Sequence, residues 1–136
     1  MEPLKTFLDA NILFSAAVGG PVFDLLWSLG DDERLVLLTS RTCLIEAERN
    51  LKRKRRHAMQ RFGSRTRVVH VVPDVTNDES RFDLPPKDAP IYGTAVAIGA
   101  DIFLTGDLRH FGGLMRRTDV PVRVRTVRSF LLESLE

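Results

Sequence analysis

Three aspartates in this chain stand where an apolar, strand-like run ends or where a helical pattern begins. Asp9 and Asp107 follow apolar runs, and Asp88 opens a helical pattern. In an open α/β sheet the binding crevice lies outside the carboxyl ends of the strands, so carboxylates from separate segments can converge there. Converging carboxylates need a cation, and hard oxygen donors of this kind suit Mg²⁺ or Mn²⁺. Such an ion beside a phosphodiester indicates phosphoryl-transfer chemistry.

Each of these residues also has a structural explanation. Asp88 would interact favourably with the macrodipole of the helix it begins, and Asp107 could be an ordinary turn residue. Asp9 would be costly to desolvate at the end of a buried strand unless it were paired or metal-bound, so it is the strongest functional candidate. Asn11 would point the same way as Asp9 if the strand continued, and could orient it. Thr105, two residues before Asp107, could hydrogen-bond a carboxylate or a phosphate, although strand threonines are common.

Length and composition indicate one globular domain spanning residues 1–136. The chain is 43% hydrophobic and 28% charged, which is typical of a globular protein and not of a disordered one. It contains no run of about eighteen apolar residues, and its N-terminus lacks the apolar region of a signal peptide, so we expect a cytoplasmic protein without a membrane span. Cys43 has no partner for an internal disulfide and is most simply a small core residue, which makes a zinc site improbable.

The positive charge of the chain is concentrated in one segment. The formal net charge is only +2, but residues 49–67 hold nine of the twenty Lys and Arg and no acid, which leaves the remainder at about −7. Clustered basic side chains bind phosphate backbones through counterion release, although such a run can also be a solvated helix face. The densest part predicts a nucleic-acid contact formed by Lys52, Arg53, Lys54, Arg55 and Arg56.

Strand-like and helical patterns alternate along the chain. Apolar or β-branched runs predict strands over 5–14, 35–38, 68–72, 102–104 and 122–127. Amphipathic patterns predict helices over 21–29, from Ser40 as the cap through 51 into the basic segment, over 88–99 and over 129–135, with a polar loop over 74–86. This alternation indicates an α/β fold, a three-layer α/β/α arrangement with a mostly parallel central sheet of about five strands.

A fourth acid is expected from the second predicted helix, which offers Glu46 and Glu48. These two side chains lie about 200° apart around the helix axis, so at most one of them can face the cleft. Helical periodicity places Glu48 slightly nearer the apolar stripe of Leu44, Ala47 and Leu51, and so mildly favours it.

The ordered segments FLDANILFSA, TSRTCLIEAERNL and LPPKDAPIYGTAVAIGADIFLTGDLRHF resemble the PIN-domain ribonuclease family, in particular the VapC-like toxins of type II toxin–antitoxin pairs. The resemblance extends from residue 7 to about residue 132. The first motif, Leu8-Asp9-Ala10-Asn11, is weak alone. The helix after Asp88 followed by Leu104-Thr105-Gly106-Asp107 is specific as an ordered set.

The resemblance implies a metal-dependent ribonuclease whose acidic quartet is Asp9, Glu46, Asp88 and Asp107, with Asn11 and Thr105 as polar support. In this family a serine, a glutamate six residues later and a leucine five residues after that recur in this helix. Here they are Ser40, Glu46 and Leu51, so the resemblance selects Glu46. It also implies one or two Mg²⁺ or Mn²⁺ ions, an RNA substrate, a small antitoxin partner and a homodimer. One departure is Pro90, which is tolerable only if the helix starts at Asp88.

Three other interpretations remain open at this point. The chain could be a PIN fold that works mainly as an RNA-binding or partner-binding module. A phosphoacceptor receiver domain also carries carboxylates at strand ends, but it needs an acidic pair near the first strand, which Thr6-Phe7-Leu8-Asp9 lacks. A flap-type DNA nuclease shares the metal chemistry, yet usually needs a longer chain to clamp a duplex.

Overall fold

The computed structural model of this chain describes residues 2–75 and 82–134, and its strands form one sheet. The strands, in chain order, are β1 Leu4–Leu8, β2 Leu35–Ser40, β3 His70–Val72, β4 Ile102–Leu104 and β5 Arg123–Arg125. Their order across the sheet is β3-β2-β1-β4-β5, and each neighbouring pair runs parallel. The predicted α/β fold with a mostly parallel sheet of about five strands is confirmed.

Helices connect the strands. They are α1 Ala10–Val18, α2 Pro21–Asp31, α3 Arg41–Lys54, α4 Met59–Thr66, α5 Ala89–Ala97, α6 Leu108–Met115 and α7 Val127–Ser134, with a 3₁₀ turn at Arg56–Ala58. The sequence patterns predicted α2, α3, α5 and α7 but not the other three. Residue 135 of the last predicted helix, and part of the loop predicted over 74–86, lie outside the described residues.

The strand predicted over residues 5–14 is wrong in its second half. The strand ends at Leu8, and Asp9 caps a helix, because its side chain accepts the N–H of Ala10 and its backbone carbonyl accepts the N–H of Ile12. A continuous apolar run suits a buried strand and a buried helix equally well, so periodicity cannot separate them. The capping preference of aspartate was the signal for a helix start.

Helices cover both faces of the sheet, which makes the fold three-layered. On one face, the paired strand residues Phe7 and Phe103 stack at 5.4 Å, and Tyr92 of α5 packs on Phe103. On the opposite face, Gly30 of α2 lies so close to Leu37 of β2 that an added Cβ would stand 2.8 Å from the Leu37 Cδ1 atom. The central strands are therefore buried on both sides, as expected for a parallel sheet.

Helix α5 begins where Pro90 requires. Asp88 is the residue before the first turn, Pro90 lies within that turn, and its missing N–H costs no intrahelical hydrogen bond there. The helix ends before Gly99, which adopts a φ of +70° that glycine tolerates readily. No single helix among the described residues is long and apolar enough to cross a membrane. Helices α1 and α2 reach that length and composition only as a pair, bent by 108°.

The carboxyl ends of the parallel strands meet at one edge of the sheet. The backbone N–H of Asp9, just after β1, donates to the carbonyl of Leu104 at the end of β4. Strand β2 ends at Ser40, whose hydroxyl accepts the N–H of Cys43 and so starts α3. Asp101 precedes β4 and accepts the N–H of Lys5, so it lies at the opposite edge. The fold thus separates Asp101 from the other candidate acids.

Candidate active site

Asp9 ends β1 and is buried at the carboxyl edge of the sheet. Its Oδ1 atom accepts the backbone N–H of Ala10 at 2.8 Å. Its Oδ2 atom accepts the hydroxyl of Thr105 at 2.8 Å and the side-chain amide of Asn11 at 3.1 Å. Only 6% of the residue is exposed. These donors hold the carboxylate in one orientation.

Asn11 and Thr105 also connect Asp9 to the segment that carries Asp107. The Asn11 Oδ1 atom accepts the N–H of Gly106 at 2.7 Å, and the Thr105 hydroxyl oxygen accepts the N–H of Asp107 at 3.1 Å. The expectation that Asn11 lies beside Asp9 assumed a continuing strand. The structure brings them together by the first turn of α1 instead. The network therefore positions Asp9 and Asp107 relative to each other.

Helix α3 directs its two glutamates to different sides. Glu46 lines the cleft that Asp9 also lines, whereas the partly exposed Glu48 forms an ion pair with Lys52 at 2.9 Å. The buried stripe of the helix is centred on Ala47, and both glutamates lie about 100° from it, on opposite sides. Helical periodicity mildly favoured Glu48, but in the structure the glutamate that faces the cleft is Glu46. Symmetric placement about the stripe explains why the hydrophobic pattern could not choose.

The same face of α3 extends the cleft toward the basic segment. Glu46, Asn50 and Lys54 are spaced by four residues, lie on one side of the helix and all line the cleft, which has a volume of about 270 Å³. The Lys87 ammonium stands 2.6 Å from the Glu46 Oε1 atom at the cleft's mouth. This hydrogen bond and the negative charge of Glu46 raise the pKa of Lys87. The acidic cleft is thus bordered by two cations.

Asp88, Asp107 and His110 form a compact group opposite α3. Asp107 caps α6, since its Oδ1 atom accepts the N–H of His110 at 3.1 Å. The Nδ1 atom of the His110 ring lies 2.8 Å from the Oδ2 atoms of both aspartates. The buried Oδ2 atom of Asp88 accepts no hydrogen bond from the described part of the chain. One ligand atom from each of the three residues lies within 4.8 Å of the others.

Burial raises the pKa of two of these carboxylates, Asp9 and Asp88. Desolvation raises the pKa of Asp9, against the hydrogen bonds from Thr105 and Ala10, and the charges of Asp88 and Glu46 raise it further. Desolvation likewise raises the pKa of Asp88, although the nearby His110 opposes that change. Carboxylates in this state are stabilised as anions by a nearby positive charge.

A divalent cation fits this set of donors. Asp9, Glu46, Asp88 and Asp107 all line the cleft and offer carboxylate oxygens, the hard donors that Mg²⁺ and Mn²⁺ prefer. Of these four, only Asp88 and Asp107, together with His110, place ligand atoms within 4.8 Å of one another in the described part of the chain. The buried Oδ2 atom of Asp88 lies near His110 Nδ1 but accepts no hydrogen bond from the described residues, so it is an acceptor that a bound ion would satisfy. Mutual repulsion among these groups would fall on binding, so the electrostatics and the donor chemistry agree.

Cys43 lies beneath Asp9 and is not a nucleophile. Its thiol stands 3.8 Å from the Asp9 Oδ1 atom, and burial together with the nearby Asp9 charge raises its pKa to about 12. The thiol is therefore protonated near neutral pH and packs as a small core side chain.

The basic segment divides into two parts with different surroundings. The predicted contact residues Lys52, Arg53, Lys54, Arg55 and Arg56 are all exposed. By contrast, the Arg61 guanidinium donates to the carbonyl of Val18 at 2.8 Å, and Arg65 donates to Ala16, pairs with Asp24 and lies over the Trp27 ring. These later arginines join α4 to α1 and α2. The surface available to a polyanion is thus narrower than residues 49–67.

Sequence reasoning missed His110 and the cleft positions of Asn50, Lys54 and Lys87. His110 lies three residues after Asp107, which is the spacing of neighbours on a helix, but α6 was not predicted. The i, i+4 spacing of Glu46, Asn50 and Lys54 indicated in the sequence that the three side chains share one side of the helix.

An open parallel sheet with buried acids gathered at its carboxyl edge defines a class of α/β proteins that bind ligands at that edge. A family model described as the PIN domain matches residues 5–109 of this chain. The match covers well over half of the sequence, and the chain belongs to the PIN-domain family.

Two solved structures share this fold. One is the crystal structure of VapBC2 from Rickettsia felis bound to a DNA fragment from their promoter, with a TM-score of 0.67, 14% identity, and coverage of 90% of this chain and 98% of that chain. The other is a toxin–antitoxin complex from Klebsiella pneumoniae, with a TM-score of 0.64, 18% identity and coverage of 90% and 97%. A search of curated proteins found no significant match.

Proposed function

We propose that this chain is a metal-dependent endoribonuclease and the toxin of a toxin–antitoxin pair. The observation that carries the proposal is the convergence of Asp9, Glu46, Asp88 and Asp107 on one cleft at the carboxyl edge of a PIN-domain sheet. Separate elements deliver these acids, so their meeting is a property of the fold. Structural caps and turns would not need to face a common cavity.

In the proposed reaction Asp9, Glu46, Asp88 and Asp107 would hold Mg²⁺ or Mn²⁺ beside the RNA backbone. When bound, the ion supplies Lewis-acid polarisation of the scissile phosphate and activation of water. Thr105 and Asn11 keep the Asp9 carboxylate oriented toward the cleft. Preorganised groups of this kind need no rearrangement during the reaction.

The RNA contact proposed outside the cleft begins at Lys54. This residue belongs both to the exposed basic cluster and to the cleft lining, so a phosphate backbone bound by Lys52–Arg56 would be led to the acids. An apolar groove of about 650 Å³ adjoins the cleft on its other side and shares Asn11 and Asp107 with it. A backbone at the acids would have room there for an adjacent base.

The proposed partners are a small antitoxin protein and a second copy of this chain. The two structurally similar proteins are found in VapBC2 and in a toxin–antitoxin complex, which supports the antitoxin. The homodimer follows from the family resemblance. RNA cleavage of this kind would act in the cytoplasm. If the adjacent reading frame encodes the antitoxin, its product should co-purify with this chain and suppress cleavage; failure to bind would count against the pair.

Cleavage of total RNA with Mn²⁺, with Mg²⁺ and with a chelator tests the activity. We expect cleavage by the wild type with metal, none with chelator, and none by Asp9→Asn, whose folding is checked by circular dichroism. The matched control is Asp101→Asn at the opposite edge of the sheet, which should cut like the wild type. An Asp9→Asn protein that cuts at the wild-type rate would refute the assignment. RNA binding without cleavage by the wild type would favour a PIN-fold binding module.

A further inference from the structure

His110 is exposed beside the acidic cleft and contacts two of its acids, without a role in the proposed quartet. Its Nδ1 atom is 2.8 Å from the Oδ2 atoms of both Asp88 and Asp107. The His110 side chain is 38% exposed and the Asp88 side chain is 10% exposed, so an exposed imidazole contacts a buried carboxylate. An imidazole in this position is either a ligand that shares an ion with the two aspartates or a counter-cation that neutralises them.

The geometry of the group favours a ligand. The two N···O separations of 2.8 Å suit an ion pair and ligands of a shared ion equally well, so the distances alone do not separate the two roles. A hydrogen-bonded ion pair would satisfy the Asp88 Oδ2 atom, yet this buried oxygen accepts no hydrogen bond from the described residues. Three donor atoms are therefore close together, and the Asp88 Oδ2 atom accepts no hydrogen bond even from the imidazole 2.8 Å away.

We propose that His110 is a metal ligand through Nδ1, together with Asp88 and Asp107, and that this nitrogen makes the site prefer Mn²⁺ to Mg²⁺. The inference rests on the proposed metal-dependent function and selects between its two ions. Imidazole nitrogen suits first-row transition ions, whereas Mg²⁺ demands hard oxygen donors and keeps much of its water. An all-carboxylate site would not make this distinction as strongly.

Replacement of His110 by glutamine distinguishes a metal ligand from a counter-cation, because the two roles predict different changes in Mn²⁺ affinity. If His110 is a ligand, His110→Gln should weaken Mn²⁺ binding, measured by calorimetry, by roughly tenfold or more, and weaken Mg²⁺ binding less. If it is a counter-cation, its removal should leave Mn²⁺ affinity unchanged or increase it, and the proposal fails. His70→Gln is the matched control, because His70 is exposed on β3, and its Mn²⁺ affinity should equal that of the wild type.

A spectroscopic measurement provides a readout that a structural role would not change. Electron spin echo modulation of bound Mn²⁺ should show a coupled ¹⁴N nucleus in the wild type and in His70→Gln, and none in His110→Gln. Absence of ¹⁴N coupling in the wild type would overturn the proposal even if the protein cuts RNA. Conversely, ¹⁴N coupling in a wild type that cuts no RNA would uphold the ligand and contradict only the proposed ribonuclease activity.

Discussion

The hydroxyl of Thr105 donates to the Oδ2 atom of Asp9 at 2.8 Å, although 96 residues separate the two in sequence. This bond joins the carboxyl ends of the adjacent strands β1 and β4. It also lowers the pKa of Asp9 against the effect of burial. One contact therefore contributes both to the position and to the ionisation of the most buried acid of the cleft.

Replacement of Thr105 by valine should impair the site more than the fold. We expect Thr105→Val to raise the pKa of Asp9 further, to shift the pH–rate profile of metal-dependent RNA cleavage toward higher pH and to reduce the rate at pH 7 by about tenfold. The matched control is Thr39→Val, which removes the equally buried hydroxyl that donates to the carbonyl of Leu8 at 2.8 Å. Both variants should lose about 1 kcal/mol of stability, but only Thr105→Val should shift the pH–rate profile of RNA cleavage.

The two glutamates of α3 provide a matched pair of variants. Glu46→Gln should reduce RNA cleavage by on the order of 100-fold, because it removes a charge that faces the cleft. Glu48→Gln should leave cleavage unchanged and remove only the surface ion pair with Lys52. The measurement is the initial rate on one RNA substrate at saturating metal. A larger loss in Glu48→Gln than in Glu46→Gln would reverse the choice of the fourth acid.

The raised pKa of Asp88 has a definite consequence for stability. In the folded protein this carboxyl keeps its proton to a higher pH than in the unfolded chain, whose ordinary value is 3.8. As the pH rises above about 4, the Asp88 carboxyl ionises in the unfolded chain while it still holds its proton in the folded protein. This difference lowers the stability of the metal-free protein until the carboxyl has ionised in the folded state as well.

Asp88→Asn should remove this loss. At pH 7 without metal we expect the variant to melt at a higher temperature than the wild type, with the two curves converging toward pH 4. Addition of Mn²⁺ should raise the melting temperature of the wild type more than that of Asp88→Asn. A metal-free variant that melts below the wild type at pH 7 would show that the Asp88 anion is not destabilising.

The exposed basic cluster should set the salt dependence of RNA binding. Arg53, Arg55 and Arg56 replaced together by glutamine should weaken binding and reduce the slope of log K against log salt by roughly 2, given about 0.7 per phosphate contact on single strands. The control carries the same three charge removals at the exposed Arg34, Arg116 and Arg123. Equal slopes in the two triple variants would mean that net charge, and not this cluster, governs binding.

Local sequence was sufficient for much of the fold. Ile102–Leu104 was predicted with its observed bounds, because a short apolar run between helix-ending and turn residues has few alternatives. Ser40 and Pro21 marked helix starts through capping and through the missing N–H of proline. The prediction for the segment after Leu8 failed because its apolar run had no periodicity that distinguishes a strand from a buried helix.

The sequence by itself determined which acids end strands or begin helices, and their order made Asp9, Asp88 and Asp107 candidates. Only the tertiary structure decided which further groups meet them. Glu46 and Glu48 are equivalent about the buried stripe of α3, so packing against the sheet alone distinguishes them. His110 reaches Asp88 through the packing of α6 beside α5, across residues distant in sequence. Side-chain convergence depends on long-range packing, which local patterns do not encode.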